Sequence, residues 1–196
     1  MNFAKWQHYL RARFFNFLHN DTAALAEYRL TLQAAPEFAR AAASIGFIYA
    51  GRGDHDSAAN YFRKAVQLEP DDAEMHFNLG FVLEKNRQYG DAIEAFDAVL
   101  RLEPKFDRAW YGKGMSRAAL GDHRAAATAL LEAATLQPMN PHAWYALGMA
   151  HHHLHEPDRV KEIILKLHRF DPRMTRQLIH ETGRSDLSYL VQDLLA

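Results

Sequence analysis

Gly46, Gly80, Gly114 and Gly148 lie 34 residues apart, and Pro70, Pro104, Pro138 and Pro172 keep the same spacing. A pattern repeated in this way specifies a repeat array, in which one local structure recurs along the chain. Between each Gly and its Pro the register also holds, with small residues at Ala58, Ala92 and Ala126 and bulky apolar ones at Phe62, Phe96, Leu130 and Ile164. Each unit contains two amphipathic stretches of about a dozen residues, with apolar positions at three- and four-residue steps and a breaker between them. Two short helices therefore form a hairpin in every unit.

The spacing has a physical sense at each punctuating residue. Small side chains let helix backbones approach closely. Proline ends each second helix because it lacks the N–H and restricts the residue before it. Asp54, Asp72 and Asp122 stand where a helix N-cap is wanted, and Gly53 and Gly121 where a first helix stops. One hairpin cannot bury its own apolar face, so stacked neighbours supply the core and atypical units close the ends.

These residues resemble the tetratricopeptide repeat family, whose pattern W-x2-L-G-x2-Y, A-x3-F, then P is met nearly in full. Trp144, Leu147, Gly148, Val160, Ile164 and Pro172 carry it in one unit, and Ile45, Gly46, Tyr49, Ala58, Phe62, Ala65 and Pro70 in another. The resemblance implies an all-α, right-handed solenoid of stacked antiparallel helix hairpins with terminal capping helices. Its expected units are 39–72, 73–106, 107–140 and 141–174. A degenerate unit over 1–38 precedes them, because Ala24, Tyr28 and Pro36 continue the register backwards, with Ala12 in the place of Gly46. Residues 175–196 are expected to form capping helices.

The net charge of −1, with 24% charged residues, provides no long-range attraction to nucleic acid or anionic membrane. The chain has no cysteine, which excludes disulfides, thiolate catalysis and Cys-based zinc sites. No run of 18 apolar residues is present to span a membrane. The expectation is a soluble, cytoplasmic protein. Residues 1–18 are aromatic-rich and carry Lys5, Arg11 and Arg13, with no acid before Asp21. Such a stretch suits a membrane-surface helix, a targeting peptide or the first helix of the degenerate repeat. The unbroken register favours the last, with Trp6, Phe14 and Phe15 as packing residues.

Candidate chemistry is sparse. His151 and His155 have the i,i+4 spacing at which two imidazoles share a metal on a helix, within a cluster that includes His152 and His153. No third ligand is specified, and histidines suit a helix C-terminus, so no metal site and no cofactor is expected. Gly112-Lys113-Gly114-Met115-Ser116 lacks the upstream glycine and preceding strand of a phosphate loop. Arg52-Gly53-Asp54 spells an adhesion tripeptide at a helix-to-helix turn. No serine nucleophile has a strand-turn-helix context, and the chain is expected not to be an enzyme. Lys113 and Arg117 stand where the family places Leu and Tyr. Their stems are expected to pack while the charged heads snorkel or meet an acid, the alternative being an anionic ligand group.

The family resemblance places the ligand-facing groove on the first helices. Its fifth and ninth positions here are Ala43, Phe77, Tyr111 and Tyr145, then Phe47, Phe81, Met115 and Met149, with Tyr9 added by the degenerate unit. The carboxylate clamp of chaperone-binding members is not matched: Asn78 and Arg108 agree, whereas Ala43, Phe47 and Gly112 do not. The expected peptide-binding set is therefore Tyr9, Phe47, Phe77, Asn78, Phe81, Arg108, Tyr111, Met115, Tyr145, Met149 and His152. Aromatic and thioether side chains suit an apolar or amphipathic helix or peptide. Near the chain end, Leu187, Leu190, Val191 and Leu194 form an apolar stripe behind Ser185 that must be buried, as a cap or in a groove. The leading function is a protein-binding scaffold or adaptor. The alternatives are a self-associating module, forming a homo-oligomer through groove or terminal helices, and, more weakly, histidine-based metal handling.

Overall fold

The computed structural model describes residues 3–195, with side chains to Gln192, and every regular element among them is helical. Hairpins are formed by α1 (Phe3–Phe17) with α2 (Asp21–Ala34), α3 (Ala39–Gly51) with α4 (His55–Leu68), and α5 (Ala73–Lys85) with α6 (Tyr89–Leu102). These lie in one compact unit, Met1–Glu103. The second unit, Pro104–Ala196, pairs α7 (Asp107–Ala119) with α8 (His123–Leu136) and α9 (Pro141–His153) with α10 (Pro157–His168). It ends in α11 (Pro172–Glu181) and a 3-10 helix (Ser185–Leu195) kinked at Val191. The all-α hairpin array implied by the period is the fold observed. Helices α3, α5, α7 and α9 begin at Ala39, Ala73, Asp107 and Pro141, one period apart.

The second helices carry the core. Ala58, Phe62 and Ala65 on α4, and their counterparts Ala92, Phe96 and Val99 on α6, Ala126, Leu130 and Ala133 on α8, and Val160, Ile164 and Leu167 on α10, are at most 2% exposed. The recurrence extends to the contacts of the first helices in three hairpins, where Gly46, Gly80 and Gly114 face Phe62, Phe96 and Leu130, whereas Gly148 faces Leu178 of α11.

The turn inside each hairpin is three residues long and also periodic. His19, Gly53, Arg87, Gly121 and His155 all take a left-handed backbone, with φ between 55 and 81. Only two of the five are glycine, the residue to which that region costs least. The next residue caps the following helix. Asn20, Asp54 and Asp122 accept from the N–H three residues on, whereas Gln88 and Glu156 make no such side-chain bond. In this setting Arg52-Gly53-Asp54 is a turn: Asp54 caps α4, and Arg52 Nε lies 3.1 Å from Asp21. Gly112 to Ser116 lie inside α7, away from any loop.

A further repeated contact fastens the turn between hairpins. The indoles of Trp110 and Trp144 donate at 2.9 Å to the carbonyls of Pro104 and Pro138, six residues earlier. His76 Nε2 sits at the same distance from the Pro70 carbonyl.

Both ends depart from the pattern. At the C-terminus, Leu178, Leu187 and Val191 are buried in one core cluster with α9 and α10, and half-buried Leu190 packs against it. The side chain of Leu194 lies outside the described residues. At the N-terminus, Ala12 is buried and Tyr9 and Phe15 pack on the α1–α3 core. Phe14, expected to pack, is instead 59% exposed, and Trp6 keeps much of its surface open while its ring edge meets Phe38 at 5.2 Å.

Candidate functional site

In the second unit, four of the expected residues converge. Tyr111 and Met115 on α7 share one helix face by their four-residue spacing, as do Tyr145 and Met149 on α9. All four line a cavity of about 450 Å³. Its far wall is Met174 and Gln177 of α11, and its polar rim includes His123, His142 and His153. Three thioethers and two phenol rings thus line a half-open space whose polar groups are three imidazoles, an amide and the phenol hydroxyls.

The polar groups at this cavity are specifically arranged. The Tyr145 hydroxyl donates to the Glu181 carboxylate and accepts from Gln177 Nε2 at 3.3 Å, while Gln177 also reaches Glu181 at 2.9 Å. Desolvation, reinforced by the adjoining carboxylate, pushes the Tyr145 phenol up to about 12. The donation from Tyr145, with that from Gln177, lowers Glu181 below the ordinary carboxylate range. The rings of His123 and His153 stack at 4.4 Å with 18° between planes, and among the described residues His123 Nδ1 is buried without a hydrogen-bond partner.

The remaining expected residues are placed differently. Phe47 is 54% exposed with its ring at right angles to Phe62, 5.1 Å away, and Phe81 is exposed beneath the Lys85 ammonium at 5.2 Å. Phe77 is half-buried against Phe96, and Asn78 is half-buried beside it. Tyr9 packs among Trp6, Tyr28 and Phe38, within the core of the first unit. Arg108 lies 4.9 Å over the Phe106 ring. His152 lines another cavity, of about 290 Å³, with Glu156, Pro157 and Arg184, while its neighbour His153 faces the first.

The helical metal pair of the sequence is not formed. α9 ends at His153, and His155 lies in the turn at φ 58, so the two imidazoles do not share a helix face. His151 Nδ1 instead meets Glu156 at 2.6 Å. Among the described residues no group of three or more His, Asp or Glu could hold a metal ion. Arg117 meets a neighbouring acid as expected, with Nη1 3.4 Å from Asp122, although among the described residues its Nε is buried without a hydrogen-bond partner, whereas the Lys113 ammonium stands 5.2 Å over the Trp110 ring.

Met174 and Gln177 are site residues that the repeat pattern does not announce. Thr182 stands one period after Gly148, so the motif fails where α11 begins to matter, although Leu178 still falls one period after Trp144.

A tetratricopeptide repeat family model matches residues 46–105, 82–134 and 111–159. No curated protein matches the chain in sequence. Among solved structures, MamA protein is similar over 95% of this chain and 98% of its own, with 19% identity and a TM-score of 0.82. YrrB, described as a TPR protein with an unusual peptide-binding site, is similar over 90% of each chain, with 20% identity and a TM-score of 0.81. PilW, a type IV pilus biogenesis factor, aligns over all of both chains at 20% identity and a TM-score of 0.72. At these identities the structural likeness speaks to fold alone.

Proposed function

Because the chain belongs to the tetratricopeptide repeat family, we propose that it is a non-enzymatic adaptor that captures an apolar or amphipathic helix or peptide of a partner protein. One observation carries this reading: Tyr111, Met115, Tyr145 and Met149 line a single cavity of about 450 Å³ together with Met174. Unbranched thioethers adapt to the shape of an inserted apolar side chain, and phenol rings offer rigid area at low entropic cost. Gln177 and His153, which both line the cavity, orient the ligand backbone through hydrogen bonds. Exposed Phe47 and Phe81 in the first unit offer further apolar contact. The peptide-binding site ascribed to YrrB supports a peptide as the ligand class.

Selection of displayed random peptides against the full chain tests the reading. Enriched sequences are expected to share one or two large apolar anchors and to bind with little dependence on salt, since burial of apolar area dominates. Met115→Ala with Met149→Ala is expected to weaken a selected peptide by about tenfold or more at unchanged helical content. A parallel Phe47→Ala, Phe81→Ala variant asks whether the first unit contributes. Equal binding by the methionine variant, or no enrichment, overturns the proposal.

A further inference from the structure

The apolar residues of α1 form two stripes on opposite sides of the helix. Tyr9, Ala12 and Phe15 turn inward to α2 and α3. Phe3, Trp6, Leu10, Phe14 and Phe17 recur at three- and four-residue steps along the other side, and all five are exposed, Phe3 at 80% and Phe17 at 78%. With 3.6 residues per turn, Arg13 borders this second stripe beside Trp6, and Arg11 borders it beyond Phe14. Residues 3–18 contain no Asp or Glu. The nearest carboxylate on the packed side, Glu27 of α2, is buried between His8 and Arg11 at 2.6 and 2.8 Å, and the Arg11 side chain remains 55% exposed.

We infer that α1 is an interfacial helix that docks the protein on an anionic lipid surface, sinking its outer aromatic stripe among the acyl chains while Arg11 and Arg13 reach the headgroups. This surface is distinct from the peptide cavity and does not depend on it. Charge decides between the possible occupants. Two copies meeting stripe to stripe would add a second Arg13 beside the same apolar stripe, with no carboxylate on either α1 to relieve the pair. An anionic headgroup layer meets Arg13 directly, and meets Arg11 through the exposed part of a guanidinium that also holds Glu27 at 2.8 Å. Phe, Trp and Leu on one face with Arg at the margins is the composition of helices that lie in the plane of an interface. At 15 residues α1 extends about 22 Å, too short to cross a bilayer but able to lie along it.

Co-sedimentation of the full chain with vesicles tests the inference. Binding is expected to phosphatidylcholine vesicles containing phosphatidylglycerol, to fall sharply on pure phosphatidylcholine, and to weaken with added salt. Leu10→Asp with Phe14→Asp should reduce partition by more than about tenfold, because each removes an inserted apolar side chain. Arg13→Gln, which leaves the stripe intact, should cost about fivefold. Circular dichroism establishes that each variant stays helical. If the double variant does not fold, the Arg13→Gln loss and the salt dependence still decide. The inference is overturned if the parent does not bind anionic vesicles, if it binds neutral ones as well, or if neither variant alters binding. Sedimentation equilibrium in which the parent dimerises and the double variant does not, without vesicle binding, assigns the stripe to a second copy instead.

Discussion

A methyl group on Gly148 would lie 2.7 Å from Cδ2 of Leu178, so the Leu178 side chain fills the space between α9 and α11 and leaves none for a second. Gly114 stands in the same relation to Leu130, at 2.6 Å, within the hairpin that precedes it. Overpacking of a filled core costs about 1–3 kcal/mol. Gly148→Ala is therefore expected to destabilise the second unit by about that amount, and the displaced α11 should loosen the cavity wall formed by Met174. Thermal melting and hydrogen exchange at α11 measure both effects. Gly90→Ala, with nothing within 4 Å of the added carbon, is the matched control and leaves the melting temperature unchanged or higher.

Arg87 and His155 hold left-handed backbones that a side chain opposes. Relieving that opposition is worth about 1 kcal/mol, less the greater entropy that glycine adds to the unfolded chain. Arg87→Gly and His155→Gly are each expected to raise stability by about 0.5 kcal/mol, and Gly53→Ala to lower it by about 1 kcal/mol. Denaturant midpoints decide the sign, and a loss in both glycine variants refutes the strain argument.

Gln88 precedes α6 with φ −85 and ψ 62, close to the −81 and 69 of Asp122, yet makes no capping bond. Gln88→Asp is expected to accept from the backbone N–H of Asp91 and to stabilise by about 1 kcal/mol. An unchanged denaturant midpoint is the contrary outcome.

Tyr145 links α9 to α11 through Glu181. Its phenol is raised from 10.0 to about 12 in the folded protein, so the folded state holds the proton more tightly. The resulting stabilisation is complete below pH 10, and it is lost as pH rises from 10 towards 12. Tyr145→Phe should remove that component of the alkaline decline. The same variant should return Glu181 towards the ordinary carboxylate value, which carbon-detected titration of the carboxyl resolves. If Glu181 titrates identically in the variant, the hydrogen bond does not form in solution.

Periodicity made the hairpins legible because the residues repeated every 34 places take the same place in each helix, as the buried Phe62, Phe96, Leu130 and Ile164 do. The recurring places of Ala58 and Phe62 follow from that alone, whereas the starts at Ala39 and Ala73 took their phase from the family resemblance. The left-handed turns at His19, Arg87 and His155 were hidden because nothing in these side chains signals a backbone chosen for them by the helices on either side. The metal spacing of His151 and His155 failed for that reason. Tyr111, Met115, Tyr145 and Met149 were named together by the fifth and ninth positions that the family resemblance implies, and helical spacing puts each pair on one face of its own helix. Met174 and Gln177 were not, since the opposite wall comes from a helix in which the repeat has decayed. Spacing along one helix likewise does not tell which of the adjacent His152 and His153 reaches a given cavity.

The indole bonds to the proline carbonyls also have an optical meaning. Trp110 and Trp144 each anchor the turn that opens a hairpin of the second unit, whereas the first unit contains Trp6 alone, on α1. Emission from the two anchored indoles reports whether those turns are intact. With Trp6 replaced by Phe, fluorescence follows the second unit alone while circular dichroism follows both. Sequential melting of the halves then appears as two non-coincident curves from one unlabelled sample.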